Sequence, residues 1–301
     1  MRHSHKRSVG SIIFDNLNVL FMLILMVVML YPMVNIIAMS MSDAQSVARM
    51  DVTFYPMGLH FQNYIHVLND RFVFLGYRNT IFYAAAATIV MLATTSLMAY
   101  PLTVPGFPIT KFITVFLTIT MFFSGGLIPY FLLMRDLGLR NTIWIMILPG
   151  SVGAFNVFMF RTFFKNIPDE LKESAKLDGA NEIVILLRII LPLSKALLAT
   201  FALFRIVGVW NDWFTAAIFL DDREMYPLQN VLRDYLFQLN TDAMRQRAGV
   251  GAAAMQHGQQ TFDFKGVQMA MIVVSMLPVM MIYPFLQKYF VKGVMIGAIK
   301  G

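Results

Sequence analysis

Two small sets of residues in this chain are suited to chemistry, and neither is a catalytic set. The first lies in the charged stretch PDELKESAKLDGANEIVILLRIILPLSKA, residues 168–196. Pro168 suits a first helical turn. Asp169 and Glu170 follow it, where a helix N-terminus favours acids. Leu171, Ala175 and Asp178 share one helical face, at spacings of four and three. Gly179 can take the positive φ that reverses the chain. The pattern predicts a helix, a glycine turn and a second helix over 181–191, apolar except for Glu182 and Arg188 and broken by Pro192. Such a pair is either a solvated loop or a docking element, in which Ser174 and Ala175 allow close approach and the flanking charges set register. The second set is Arg205, Trp210, Asn211 and Asp212, in and beside an apolar run. Arg205 and Asp212 are seven apart and so share a face. Ionisable groups at membrane depth face a cavity or a partner. This pair is therefore either a structural tie, ionic or to backbone carbonyls, or a polar lining.

Other chemistries lack their residues. Cysteine is absent, which excludes disulfides, thiolate metal sites and cysteine nucleophiles. The five histidines, at 3, 5, 60, 66 and 257, form no HExxH pattern for zinc. There is no G-x-x-x-x-G-K-[ST] phosphate cradle, no G-x-S-x-G, no Ser-His-Asp set and no paired carboxylates within an apolar run. The 24 methionines and 27 phenylalanines are explained by lipid-facing and packed surfaces.

The elements that position these residues follow from composition. Of 301 residues 58% are hydrophobic and 14% charged, with a mean hydropathy of +0.64. Soluble domains run at about 45–50% and about 25%, and disorder needs low hydrophobicity and high charge. The chain reads as an all-α polytopic membrane protein, because lipid demands an internally satisfied backbone and barrel alternation is missing. Six spans of about 20 residues are predicted at roughly 17–40, 79–100, 112–134, 142–164, 195–216 and 266–288. Residues 16–42 lack Lys, Arg, Asp and Glu over 27 positions, too long for a signal-peptide core, so the first span reads as a retained anchor. Pro101, Pro105, Gly106 and Pro108 mark a tight connection. Gly125, Gly126 and Pro129 in the third span, and Pro149 and Gly150 in the fourth, mark kinks, close packing or hinges.

Basic residues orient the chain. With both termini cytoplasmic, the inside segments hold 13 of the 24 Lys and Arg, including nine of ten lysines. This topology also explains the net charge of +7 without nucleic acid. It puts 41–77 and 217–265 outside and 165–194 inside. The low-complexity run 248–260 in the second outer stretch reads as flexible, either a passive connector or a mobile loop.

One pattern narrows the reading further. Glu173-Ser174-Ala175, three residues, Gly179, nine residues, then Ile189-x-Leu191-Pro192 resembles the EAA loop of ATP-binding-cassette importer permeases, E-A-A-x3-G-x9-I-x-L-P, with Ser174 for the first alanine as its one departure. Asn79-Thr80, Trp210-Asn211-Asp212 and the ending from Phe290-Val291-Lys292-Gly293 to Lys300-Gly301 are similar to the smaller permease subunit of maltose-type carbohydrate importers. In general character the chain is most similar to permeases of complex-saccharide and alginate importers. The resemblance implies a type I importer permease fold with its core at 75–290, an N-terminal addition at 1–74 and a cytoplasmic tail at 291–301. It implies half of a translocation pathway, shared with a second permease subunit, likened to a heterodimer. It also implies two copies of a cytoplasmic ATPase that hold ATP and Mg, and an external solute-binding protein, in a bacterial inner membrane. This chain would then be a non-catalytic subunit with no cofactor of its own. Glu173, Ser174, Ala175 and Gly179 become the coupling positions, with Ile189, Leu191 and Pro192 fixing the second helix. Under the same resemblance, Arg205 suits a uronate carboxylate through a bidentate contact. Trp210 and Trp213 either stack on sugar rings or anchor a span end. The competing classes are an ion-coupled secondary transporter, which calls for inverted repeats and several acids within spans, a permease for a non-sugar solute, and a membrane-embedded enzyme.

Overall fold

The computed structural model describes residues 9–247 and 265–281. The expectations for Arg2, Lys6 and Arg7, the run 248–260, the end of the sixth span and the tail 291–301 lie outside the described residues. All regular structure among the described residues is helical. They divide into two compact units, one drawn from 9–70 and 234–275, the other from 71–233 and 276–281.

The first unit begins with α1 (Val9–Ser40), α2 (Ala44–Ala48) and α3 (Gln62–Asn69). At about 1.5 Å per residue, the 32 residues of α1 exceed the roughly 30 Å of a bilayer core. Its apolar stretch is not buried within the protein, as suits a surface made for lipid or a partner. Its end is pinned. Ser40 Oγ lies 2.7 Å from Tyr64 Oη, and Asn63 Nδ2 donates to the Ser40 carbonyl at 3.1 Å. Asp43 caps α2, accepting from the amides of Gln45 and Ser46.

The second unit is organised by α4 (Arg71–Ala99). Its buried residues include Gly76, Thr80, Ala84, Ala87, Met91, Thr95 and Ala99, a seam of mostly small side chains at three- and four-residue steps. Small residues let helix backbones approach closely where no hydrophobic force separates helix from lipid. The unit continues with α5 (Thr110–Phe122), α6 (Leu127–Asp136), α7 (Trp144–Ile147), α8 (Ala154–Lys165), α9 (Asp169–Leu177), α10 (Glu182–Ile185), α11 (Leu191–Leu193), α12 (Lys195–Trp210) and α13 (Phe214–Phe219), several of which pack on α4. The closest packing is with α12, then α8 and α7. Two apolar clusters result. Met91, Ala99, Leu117, Phe160, Phe164, Ile190 and Phe201 form one, and Tyr83, Ala87, Met134, Ile145, Val209 and Phe219 the other. α14 (Leu228–Arg247) and α15 (Lys265–Met281) complete the described helices.

The predicted spans are not all continuous helices. α1 and α4 are each long and apolar enough to cross a membrane, and the bent pair 182–193 and 195–210 makes a third candidate. The third predicted span divides into α5 and α6 at 123–126, the glycines flagged from sequence, whereas Pro129 falls in the first turn of α6, where its missing N–H costs nothing. The fourth divides into α7 and α8 across Pro149 and Gly150. The fifth ends at Trp210 and resumes as α13. The tight connection after α4 is present as a single turn, Pro101–Thr103.

Asn79 and Thr80 acquire a structural role at the start of α4. Asn79 Nδ2 donates to the carbonyls of Glu224 and Tyr226, at 2.7 and 3.1 Å. Tyr83 Oη donates to the Met225 carbonyl at 2.9 Å. Thr80 Oγ1, fully buried, accepts from the Leu228 amide at 2.8 Å, satisfying one of the unpaired N–H groups at the start of α14. Thr80→Val keeps the shape and orphans that amide. We expect a loss of about 1–3 kcal/mol, read as a lower Tm of the detergent-solubilised chain. Thr80→Ser should retain most of the stability, and equal melting of Thr80→Val and the parent would refute the assignment.

Candidate functional site

The charged stretch folds as the sequence predicts in outline, with shifted boundaries. Pro168 has an extended ψ of 133° and precedes the helix rather than starting it. Asp169 and Glu170 occupy the first turn of α9 and Lys176 the last, matching the helix dipole at both ends. Gly179 has φ +80°, a value that strains any residue with a Cβ. Asn181, predicted as helical, is instead the cap of α10, its Oδ1 accepting from the Val184 amide at 2.9 Å. Pro192 lies one residue before the end of its helix, as the expected break requires. A wide π-type turn over Leu186–Ile190, with the Leu191 amide bonded to the Leu186 carbonyl, accommodates a residue that has no N–H to give. The chain then bends by 81° between 182–193 and 195–210. Ser194, fully buried, sits at that bend and donates its hydroxyl to the Ile190 carbonyl at 2.7 Å.

No residue of α9 is buried. Glu173 and Ser174 are exposed, as are Leu171 and Leu177, the latter 90% exposed. Of the predicted face, Ala175 packs on the core with Ile189 and Leu191, whereas Leu171 does not. The helix therefore presents charge and two leucines outward while standing on one alanine.

A polar bridge sits beside it. Glu182 Oε1 is 2.7 Å from Lys176 Nζ, and Glu182 Oε2 accepts from Tyr100 Oη at 2.6 Å. The Lys176 ammonium first, and the Tyr100 hydroxyl second, hold the Glu182 carboxyl below the ordinary carboxylate range. A carboxyl with a lowered pKa contributes its stability above its unfolded value and loses it as pH falls through the folded one, so the bridge is intact at neutral pH. Tyr100 escaped the sequence reading. The available signal was a hydroxyl at the end of the second predicted span, immediately before Pro101.

The second set surrounds a break in the helical backbone. Between α7 and α8 the chain cannot continue its helical hydrogen bonds, because Pro149 has no N–H and Gly150 takes φ +73°. Two side chains from other helices satisfy the freed carbonyls. Arg205 Nη2 on α12 donates to the Pro149 carbonyl at 2.8 Å, and Thr94 Oγ1 on α4 donates to the Ser151 carbonyl at 2.7 Å. Of the readings open from sequence, the geometry gives Arg205 a tie to backbone. Arg205 and Asp212 also line one cavity of about 380 Å³, with Pro149, Gly208 and Thr215. Arg205 Nε is buried beside it without a hydrogen-bond partner among the described residues. Asp212 Oδ1 caps α13 through the Thr215 amide at 3.0 Å. Trp210 and Asn211 do not line the cavity. Trp210 is 3% exposed and meets Tyr77 edge-on. Asn211 Nδ2 donates to the Val207 carbonyl at 2.9 Å. Trp213 carries the Arg233 guanidinium over its ring at 3.6 Å.

The chain is similar to known proteins over most of its length. Residues 73–296 match the model of a family described as the binding-protein-dependent transport system inner membrane component. The protein LplC of Bacillus subtilis (strain 168) is 36% identical over 302 residues, covering 99% of each chain. The polygalacturonan/rhamnogalacturonan transport system permease protein YtcP of the same organism is 34% identical over 292 residues, covering 96% of this chain and 99% of that one. A crystal structure of a bacterial ABC transporter involved in the import of the acidic polysaccharide alginate contains a chain with TM-score 0.86 and 32% identity, covering 95% of this chain and 100% of that one.

A Cβ at Gly150 would lie 2.9 Å from Arg205 Nη1 and in a left-handed conformation. Gly150→Ala should therefore destabilise the chain by at least the roughly 1–2 kcal/mol of that conformation, measured by thermal unfolding in detergent. An unchanged Tm would show that residue 150 is not held in that conformation.

Proposed function

The chain belongs to the binding-protein-dependent transport system inner membrane components, and from that premise we infer that it is a membrane-spanning permease subunit of an ATP-driven importer for saccharides. It forms half of the pathway, with 75–290 as its core, beside a second permease subunit. Six spans carry it across a bacterial cytoplasmic membrane with both termini inside. The hydrolysis of ATP belongs to two copies of a cytoplasmic ATPase, and solute arrives on an external binding protein. The observation that carries this reading is α9, a charged helix without a buried residue that stands on the core through Ala175. Such a surface suits insertion into another protein. Glu173, Ser174, Ala175 and Gly179 make the contact and the turn behind it, and Ile189, Leu191 and Pro192 seat the second helix.

Gly179→Pro tests the coupling. Proline fixes φ near −65°, opposite to the +80° found here, and removes the N–H that bonds the Lys176 carbonyl at 3.0 Å. The variant should insert in the membrane, lose copurification with its ATPase and lose transport. Transport at the parent rate would overturn the reading.

The solute is inferred to be an acidic saccharide. The relatives named for polygalacturonan/rhamnogalacturonan and for the acidic polysaccharide alginate support this. So does a guanidinium with a spare buried Nε at the wall of a 380 Å³ cavity. Arg205→Ala should slow transport of acidic and neutral saccharides alike through loss of the Pro149 tie. It should slow the acidic ones by about a further tenfold, for one lost charge-assisted contact. Equal losses on both would remove the acidic solute from the proposal.

A further inference from the structure

We propose that Glu182 is the positioning residue that makes α9 and α4 move as one body. The proposal rests on the reading of α9 as the docking helix. Tyr100 follows α4 directly, and its amide bonds to the Ser96 carbonyl at 3.0 Å, so its ring is carried by that helix. Its side chain is fixed by burial, with 4% exposure. Lys176 is carried by the last turn of α9. Glu182 lies between them and gives one carboxylate oxygen to each, at 2.6 and 2.7 Å.

The apolar contact of α9 with the core is slight, through the half-buried Ala175. None of its residues is buried, and the turn behind it hinges on Gly179. A cavity of about 180 Å³, lined by Tyr100, Thr103, Lys172, Lys176 and Glu182, lies between α9 and the turn that ends α4. The Glu182 side chain spans that gap. The Lys176 pair alone would be weak, because its side chains are 51% and 46% exposed and water screens them. The Tyr100 contact is of another kind: a hydroxyl held by a buried ring donates to an ionised acceptor, a charge-assisted bond with one fixed end. The bridge leads onward, because the far end of α4 grips the 224–228 segment through Asn79, Thr80 and Tyr83. A push on α9 then displaces α4 along its length and reaches that segment, instead of being absorbed at Gly179.

The chain has no cysteine, so Leu97→Cys on α4 and Leu177→Cys on α9, both at exposed positions, accept a unique pair of spin labels. Pulsed EPR then reads their separation in the full chain in lipid discs, alone and assembled with its ATPase, without and with ATP and magnesium. In the parent we expect a narrow distribution that ATP does not shift. In Glu182→Ala, and in Tyr100→Phe, which keeps the ring and removes only the donor, we expect broadening and an ATP-dependent shift, with copurification of the ATPase retained. A merely structural role would lower the yield or Tm of these variants and leave the separation unchanged. Parent-like widths and no shift in Tyr100→Phe overturn the proposal even if Glu182→Ala does not fold. Failure of the parent to bind any ATPase would overturn the docking reading instead, and the distance widths of the chain alone would still decide whether Glu182 links the two helices.

Discussion

The constraint on which the rest of this structure depends is that peptide N–H and C=O groups at membrane depth find partners within the protein. Lipid offers none, and each orphan costs several kcal/mol. Where α4 is an unbroken helix, the backbone meets the demand by itself. Where the chain breaks at Pro149 and Gly150, it cannot, and side chains from two other helices close the account: Arg205 for one carbonyl and Thr94 for another. The break and the charged residue therefore explain each other. An arginine is tolerated in α12 because a carbonyl awaits it, and the break is tolerated because the arginine reaches it.

α4 is the member on which these satisfied breaks assemble. Its small-residue seam lets α12, α8 and α7 approach, and its two ends are held by polar contacts of different character. At one end Asn79, Thr80 and Tyr83 bond to backbone atoms of a distant segment, a grip that buried geometry makes specific. At the other, Tyr100 reaches a half-exposed carboxylate that also answers to Lys176. The first is made by buried side chains to backbone atoms, and in the second a buried ring fixes the donor of a charge-assisted bond.

Charge is scarce here, and its placement carries meaning for that reason. The stretch 165–195 holds five acids and five of the lysines and arginines. Much of it surrounds α9, whose Leu171 and Leu177 are exposed. A helix of nine residues with nothing buried would be marginal alone. Its dipole-matched ends, the turn at Gly179 and the bridge through Glu182 support it.

By itself the sequence determined the class, the sites of interruption and the glycine turn of the charged stretch. Composition demands a membrane chain. Gly126, Pro149 and Gly150 mark backbone that cannot stay helical, and the 173–192 spacing places a turn at Gly179, because each of these is a local property of residue type and period. Arg205 was legible as a tie or a lining, but not its partner, and Asn79 and Thr80 were legible as a pattern without a reason. Only the tertiary structure decided those pairings. Arg205 meets a carbonyl 56 residues away, Thr80 an amide 148 away and Tyr100 a carboxylate 82 away. Hydrogen bonds that close a broken backbone are chosen by which helices lie within about 3 Å of the gap, and packing sets that distance, with no trace in the local order of residues.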